Sequence, residues 1–341
     1  MAALSPASKR ALTNLRAFAP PPTNYFKCPL KRRAAVLILL FADRGGDLRV
    51  VLTIRSAGLK NYAGQAALPG GKADTLQESP WQTARREAFE EIGLPLTEDK
   101  LPPGYTVEHL AELPTNLAMT ELGVRPCVAY LKAPLPSARN PNPDAARDLL
   151  PKLDAKEVAA VFTAPFHNFL REKDEDPAQR EVEGEWYKGS WHSWHESAWR
   201  MHNFSVPVTS STSFLAKRPD SYTDPRPSSA NPASTAQSGA SKKPAPTKKS
   251  GMQPPLPRSF YRVSGDALAQ PRYRVFGMTA RILVDAARVA YGEEPEFEHN
   301  SHFGDEEMIE RLIKIGRLSE EKKEGEILTR EVIKQAKDAR M

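Results

Sequence analysis

The segment from Gly70 to Leu94 constrains this chain more than any other, because it joins a glycine pair to a helix with three carboxylates on one face. Ser79 is an N-cap residue, Gln82 three positions on completes a capping box, and Pro80 takes the first helical position, where proline is tolerated. Trp81, Ala84, Ala88 and Ile92 recur at spacings of three and four, an apolar stripe that faces a core. Gly93 ends the helix. Glu87, Glu90 and Glu91 then project side by side from one turn. Three uncompensated like charges repel unless a divalent ion lies among them, and an all-oxygen donor set suits Mg²⁺ or Mn²⁺. Arg86, four residues before Glu90, is in reach to hold a ligand carboxylate in place. Most Glu-x-x-Glu-Glu patterns are solvated helix faces. The Gly70-Gly71 pair, Glu78 and Arg86 in this order mark the present one as a site.

Around this segment the chain supplies strands. Ala34 to Ala42 is an apolar run too short to cross a bilayer and reads as a buried strand. Gly45-Gly46 turns the chain into a second strand, Leu48 to Ile54. Val107 to Leu113 and Val124 to Leu131 read as further strands, and Asp154 to Phe162 as a short segment ending in an apolar patch. No segment is long enough to span a membrane. Cys28 and Cys127 form neither a disulfide framework nor a zinc spacing. The net charge of +6 and pI near 9.2 lie largely in the N-terminal arm and a Lys-rich linker, so no nucleic-acid partner is expected.

The carboxylate segment resembles the signature of the Nudix hydrolases: Gly, five residues, Glu, seven residues, Arg-Glu, an apolar residue, any residue, Glu-Glu, any residue, Gly, apolar. From Glu78 to Leu94 the match is complete, with Ala88 as the weakly apolar member. Six residues, not five, separate Gly71 from Glu78; the longer loop bears on the role of Glu78 and leaves the helix ligands untouched. Upstream, Leu52-Thr53-Ile54-Arg55-Ser56, Lys60, Gly64 and Leu68-Pro69-Gly70-Gly71 resemble the additional motif of the coenzyme A diphosphatase branch. Lys60 replaces that motif's second arginine, keeping the charge and losing the bidentate fork, and Leu68 replaces its phenylalanine.

The resemblance implies an α/β (α+β) Nudix fold: a mixed β-sheet sandwiched between helices, with a disordered insertion and a helical C-terminal extension. It implies an enzyme that cleaves a pyrophosphate with Mg²⁺ or Mn²⁺ gathered by Gly71, Glu87, Glu90 and Glu91. Glu90 or Glu91, or else Glu157 from a later loop, accepts the proton of the attacking water, and Arg86 orients the carboxylates. Gly70, Gly71 and Lys72 border the substrate, and Arg55 with Lys60 holds the 3′-phosphate end of the nucleotide. Coenzyme A or acyl-coenzyme A is the implied substrate, giving 3′,5′-ADP and (acyl-)4′-phosphopantetheine. The alternatives are another Nudix substrate (NADH, ADP-ribose, an oxidised nucleotide) or a non-catalytic scaffold. The NADH enzymes usually add a zinc ribbon and a Ser-Gln-Pro-Trp-Pro-Phe-Pro run, both missing here, and the intact Arg86, Glu87, Glu90 and Glu91 argue against a scaffold.

Residues 1–32, rich in Lys and Arg and free of acids, read as a flexible basic arm or a mitochondrial presequence. Ala339-Arg340-Met341 fits the small-basic-Leu/Met tripeptide read by the peroxisomal import receptor, and the peroxisome is preferred to the mitochondrion. Four of the five tryptophans fall between Trp186 and Trp199, in a segment read as a hairpin turning at Lys188-Gly189. Trp191 and Trp194 are expected to line the core or the substrate path, while His192, His195 and His202 match no common zinc spacing. The Ser/Pro/Lys-rich stretch at about 215–258 reads as a disordered insertion inside one Nudix domain of 33–292. After it, a helix over Arg281 to Tyr291 begins near a local cap at Thr279 and, by the resemblance, covers the sheet opposite the carboxylate helix. Residues 293–341 form a charged helical extension.

Overall fold

Strand β1 (Arg33–Ala42) carries an unbroken apolar run because both of its faces are covered. Ala35, Leu37, Leu39 and Phe41 point to one side, where helix α2 (Pro80–Ile92) lays down Ala84, Ala88 and Ile92. Ile38 and Leu40 point to the other side, packed with Leu12 and Leu15 of helix α1 (Pro6–Ala17) and Leu283 and Ala287 of helix α3 (Gly277–Tyr291). The computed structural model describes residues 4–56, 64–136, 143, 145, 158–176, 185–194, 197–208, 213–215, 260–261, 272–321 and 328–339. Residues 1–216 and 259–341 make one compact unit; 217–258, most of the predicted insertion, make a second and lie outside the described residues.

Beside β1 run β2 (Leu48–Arg55), antiparallel, and β7 (Gly123–Lys132), parallel, so the sheet is mixed as expected. With β5 (Thr106–Glu112), β8 (Val158–Pro165) and β11 (Ser213–Leu215) the order is β11-β8-β2-β1-β7-β5. Short strands β3 (Ala66–Ala67), β4 (Gly70–Lys72) and β6 (Asn116–Leu117) pair with β2, β1 and β7. A second sheet, ordered β12-β13-β10-β9, contains β9 (Tyr187–Trp194), β10 (Ser197–Pro207), β12 (Phe260–Tyr261) and β13 (Arg272–Phe276). Among the described residues no helix is long and apolar enough to cross a membrane.

Three expectations are corrected. The basic N-terminal arm is not flexible over residues 4–32: Ser5 caps α1, which buries Ala11, Leu12 and Leu15 against the core. Lys188 and Gly189 do not form a turn but lie inside β9, opposite Asn203 and His202. A Cβ there would have to displace the Tyr187 hydroxyl and the Arg200 guanidinium, which lie over the glycine. Thr279 does not cap α3; its hydroxyl reaches the Ala66 carbonyl at 3.5 Å instead.

The C-terminal region is tied down by buried carboxylates. Helix α4 (Glu306–Lys314) begins where Asp305 accepts the Leu117 amide at 2.8 Å and pairs with Arg281 at 2.9 Å. Glu306 accepts the Thr115 and Asn24 amides, each at 2.7 Å. Glu121, fully buried, lies between Arg32 and Arg317. Ile309 and Leu312 pack with Ile333 and Ala336 of helix α5 (Arg330–Asp338) and with Cys28 and Leu117. Arg340 and Met341 of the proposed import signal lie outside the described residues.

His202 is fully buried in a chain of hydrogen bonds, 3.0 Å to the Tyr187 hydroxyl and 2.9 Å to His299, which in turn meets Asp285 at 2.9 Å. Burial first, then the charges of His299, Arg200 and Arg281, push His202 down to about 3. The unfolded chain therefore binds a proton that the folded chain refuses between about pH 6.5 and 3, and stability falls as pH drops through that window. The His202 contribution to that slope is up to about 1.4 kcal/mol per pH unit, and urea unfolding of His202→Phe at several pH values should show a shallower fall. Glu121→Ala, which leaves Arg32 buried without its carboxylate, should destabilise the protein by about 3–5 kcal/mol in the same measurement at pH 7.

Candidate active site

Helix α2 starts and stops as its sequence dictates. Ser79 accepts the Gln82 amide while Gln82 reaches back to the Ser79 amide, and Gly93 closes the helix in the left-handed region at φ 67°. That fixes the azimuth of Glu87, Glu90 and Glu91 relative to β4 beneath them. At Gly71 a side chain would displace the Glu87 carboxylate, since a Cβ would lie 2.5 Å from its carboxyl carbon. Gly70 is confined by backbone, with a Cβ placed 2.6 Å from Val36 Cα. The glycine pair thus lets the helix carboxylates come down onto the β4 backbone, and the Gly70 amide donates to Glu91 Oε2 at 3.1 Å.

The carboxylates are not left uncompensated. Arg86 spreads its guanidinium over four partners: Nε to Glu78 at 2.9 Å, Nη1 to Glu87 at 3.0 Å and Glu90 at 3.4 Å, and Nη2 to the Lys72 carbonyl at 2.8 Å. Arg55, at the end of β2, stands 3.8 Å from Glu91. Glu91 is buried, Glu87 nearly so and Glu90 open to solvent. Five carboxylates, those of Asp74, Glu78, Glu87, Glu90 and Glu91, lie around the guanidinium groups of Arg86 and Arg55, a concentration of anionic oxygen that suits a divalent cation. Its donors are all oxygen, the set that Mg²⁺ and Mn²⁺ prefer, and the chain's own residues therefore fit such an ion.

Several roles differ from the sequence expectation. Lys72 contributes its backbone carbonyl, while its side chain is exposed. Glu78 organises the long loop: it accepts the Asp74 amide at 2.8 Å as well as Arg86. Partial burial raises the Glu78 carboxyl, but these hydrogen bonds outweigh it and bring the group below its ordinary value. Asp74, 3.3 Å from Arg86, was not picked out in the sequence, since only the loop's closure brings it there. Lys60 and Glu157 lie outside the described residues. Trp191 is on β9 of the second sheet, half exposed, and its indole donates to Glu298 at 2.6 Å. His195 and the Trp194 side chain lie outside what is described.

The NUDIX domain model matches residues 31–211, more than half of the chain, and the protein belongs to that family. The chain is similar to peroxisomal coenzyme A diphosphatase 1 of Saccharomyces cerevisiae, 36% identical over 189 residues that cover 52% of this chain and 56% of that protein. It is also similar to two Arabidopsis thaliana proteins: mitochondrial Nudix hydrolase 15, 38% identical over 156 residues (46% of this chain, 48% of that one), and chloroplastic Nudix hydrolase 22, 41% identical over 155 residues (46% and 43%). The chain thus spans about half the length of the curated relatives it matches.

The glycine cradle yields a direct test. Gly71→Ala forces the Glu87 carboxyl away from β4, and calorimetry should show Mn²⁺ affinity falling by about 10–100-fold, the cost usual for misplacing a ligand. Circular dichroism of the variant should match the parent.

Proposed function

We propose that this protein is a Nudix diphosphatase that hydrolyses the pyrophosphate of coenzyme A or acyl-coenzyme A to 3′,5′-ADP and (acyl-)4′-phosphopantetheine. The observation that carries the reading is the seating of Glu87 and Glu91 on Gly70-Gly71, with Glu90 beside them on the helix and Arg55 alongside. The coenzyme A choice rests on the Arg55-Ser56 … Gly64 … Gly70-Gly71 motif and on the name of the yeast relative. The domain responsible is taken as 33–292, interrupted at about 215–258, with 293–341 as an extension. By analogy with that relative we place the protein in the peroxisome, with the mitochondrion as the alternative.

When bound, Mg²⁺ or Mn²⁺ supplies Lewis-acid neutralisation of the phosphate oxygens and lowers the pKa of the attacking water. Gly71, Glu87, Glu90 and Glu91 would hold it. Arg55, 3.8 Å from Glu91 at the edge of the cluster, is assigned with Lys60 to the 3′-phosphate end of the nucleotide. Glu91 is buried and accepts the Gly70 amide, whereas Glu90 is the most exposed of the three helix carboxylates. We assign Glu90 to take the proton from water, with Glu91 or Glu157 as the alternative base. Arg86 keeps Glu87 and Glu90 oriented and anchors them to the Lys72 carbonyl.

The deciding experiment offers the purified protein, with Mg²⁺ or Mn²⁺, coenzyme A, acetyl- and oleoyl-coenzyme A, NADH and ADP-ribose, and separates the products by chromatography. Cleavage of coenzyme A or its esters is expected; turnover of NADH with coenzyme A untouched rejects the substrate. Glu91→Gln should lower kcat on the order of 10²–10³-fold in a protein that stays folded, and retained activity would show the ligand set to be wrong.

A further inference from the structure

We propose that His109, Glu112 and Cys127 form a second metal site, built for a zinc-type ion and sharing no residue with the carboxylate cluster of α2. One ligand atom from each of the three lies within 4.8 Å of the other two. The convergence is produced by a fault in the sheet. In a regular strand, residues three apart point to opposite faces. The register of β5 against β7 shifts between His109 and Ala111, so that Glu112 stands opposite Cys127 and His109 opposite Ala129. Cys127 and Ala129 share the face that packs on α2, and the bulge turns both His109 and Glu112 toward that face.

Glu112 and His109 each have a second neighbour that bears on their orientation, as metal ligands do. Glu112 receives Arg125 Nε at 3.2 Å on Oε2, which leaves Oε1 to coordinate. Arg125 has a second carboxylate in Glu306 at 3.3 Å, so it does not depend on Glu112 alone for neutralisation. The His109 ring is stacked on Trp81 of α2, 4.2 Å between centroids and 9° from parallel, and it hydrogen-bonds the Ala111 backbone. Cys127 is fully buried, and burial pushes its thiol well above the ordinary range.

The donor set chooses the ion. A thiolate discriminates against Mg²⁺ and favours Zn²⁺ or a similar borderline metal. Thiolate, carboxylate and a divalent ion sum to zero charge, which suits a site with one wall in the core; one proton leaves the thiol for solvent as the ion enters. With zinc–sulfur and zinc–nitrogen bonds of about 2.3 and 2.0 Å, tetrahedral ligand atoms sit about 3.5 Å apart. The present spread closes by turning His109 and Glu112, the two residues that are not buried. An ion there would staple the edge strand β5 to β7 beneath the first turns of α2.

The test uses the full chain, stripped by a chelator and kept in saturating Mg²⁺ while Co²⁺ is added. The expected result is a thiolate-to-cobalt charge-transfer band that saturates at one Co²⁺ per chain and is abolished by Zn²⁺. Cys127→Ser should remove the band, His109→Gln and Glu112→Gln should each weaken Co²⁺ binding at least tenfold, and Glu91→Gln should leave it unchanged. A folded parent without the band, or a band that survives Cys127→Ser, overturns the proposal. If Cys127→Ser does not fold, the two surface variants decide: unchanged affinity in both rejects the site.

Discussion

The guanidinium of Arg86 is the contact on which the arrangement of α2 depends. Its planar fork donates in several directions at once, to Glu78, Glu87, Glu90 and the Lys72 carbonyl. A lysine ammonium would carry the charge without spanning that set. Arg86 does two things at one place: it offsets repulsion among the helix carboxylates and it pins the loop of residues 72–78 to the helix. Within that loop the Asp74 amide donates to Glu78, closing the turn that leads into the helix.

What was legible in the sequence was local. The ends of α2 follow from Ser79, Gln82, Pro80 and Gly93, and its orientation from Ala84, Ala88 and Ile92, all within one helix. The long strands were readable because β1 and β2 are buried on both faces. Readings failed where a residue's role is decided by a distant one. Gly189 looks like a turn until its pairing with His202, across the ladder, places it inside β9. The basic composition of residues 1–32 masked α1, although Ala11, Leu12 and Leu15 were spaced as a helix face. Nothing in the order His109, Glu112, Cys127 announces a cluster, because a bulge determines which way two of them point.

The two ends of the chain meet the core in different chemistry. Helix α1 is held by apolar packing against α3, with Asn14 donating to the Ala290 carbonyl at 2.9 Å. The C-terminal region relies on carboxylates aimed at backbone amides and buried arginines, interactions that are costly to leave half made. That difference explains why a stretch so charged in sequence is nevertheless fixed in position.

Phe297, beyond the end of α3, is stacked on Tyr187 at 3.9 Å and touches His202 and Phe204. A shortened protein trimmed after Gly292 would uncover those rings and take His299 from Asp285. The charged tail is therefore an interior wall of the Nudix portion, and any truncation intended to isolate that portion has to leave it in place.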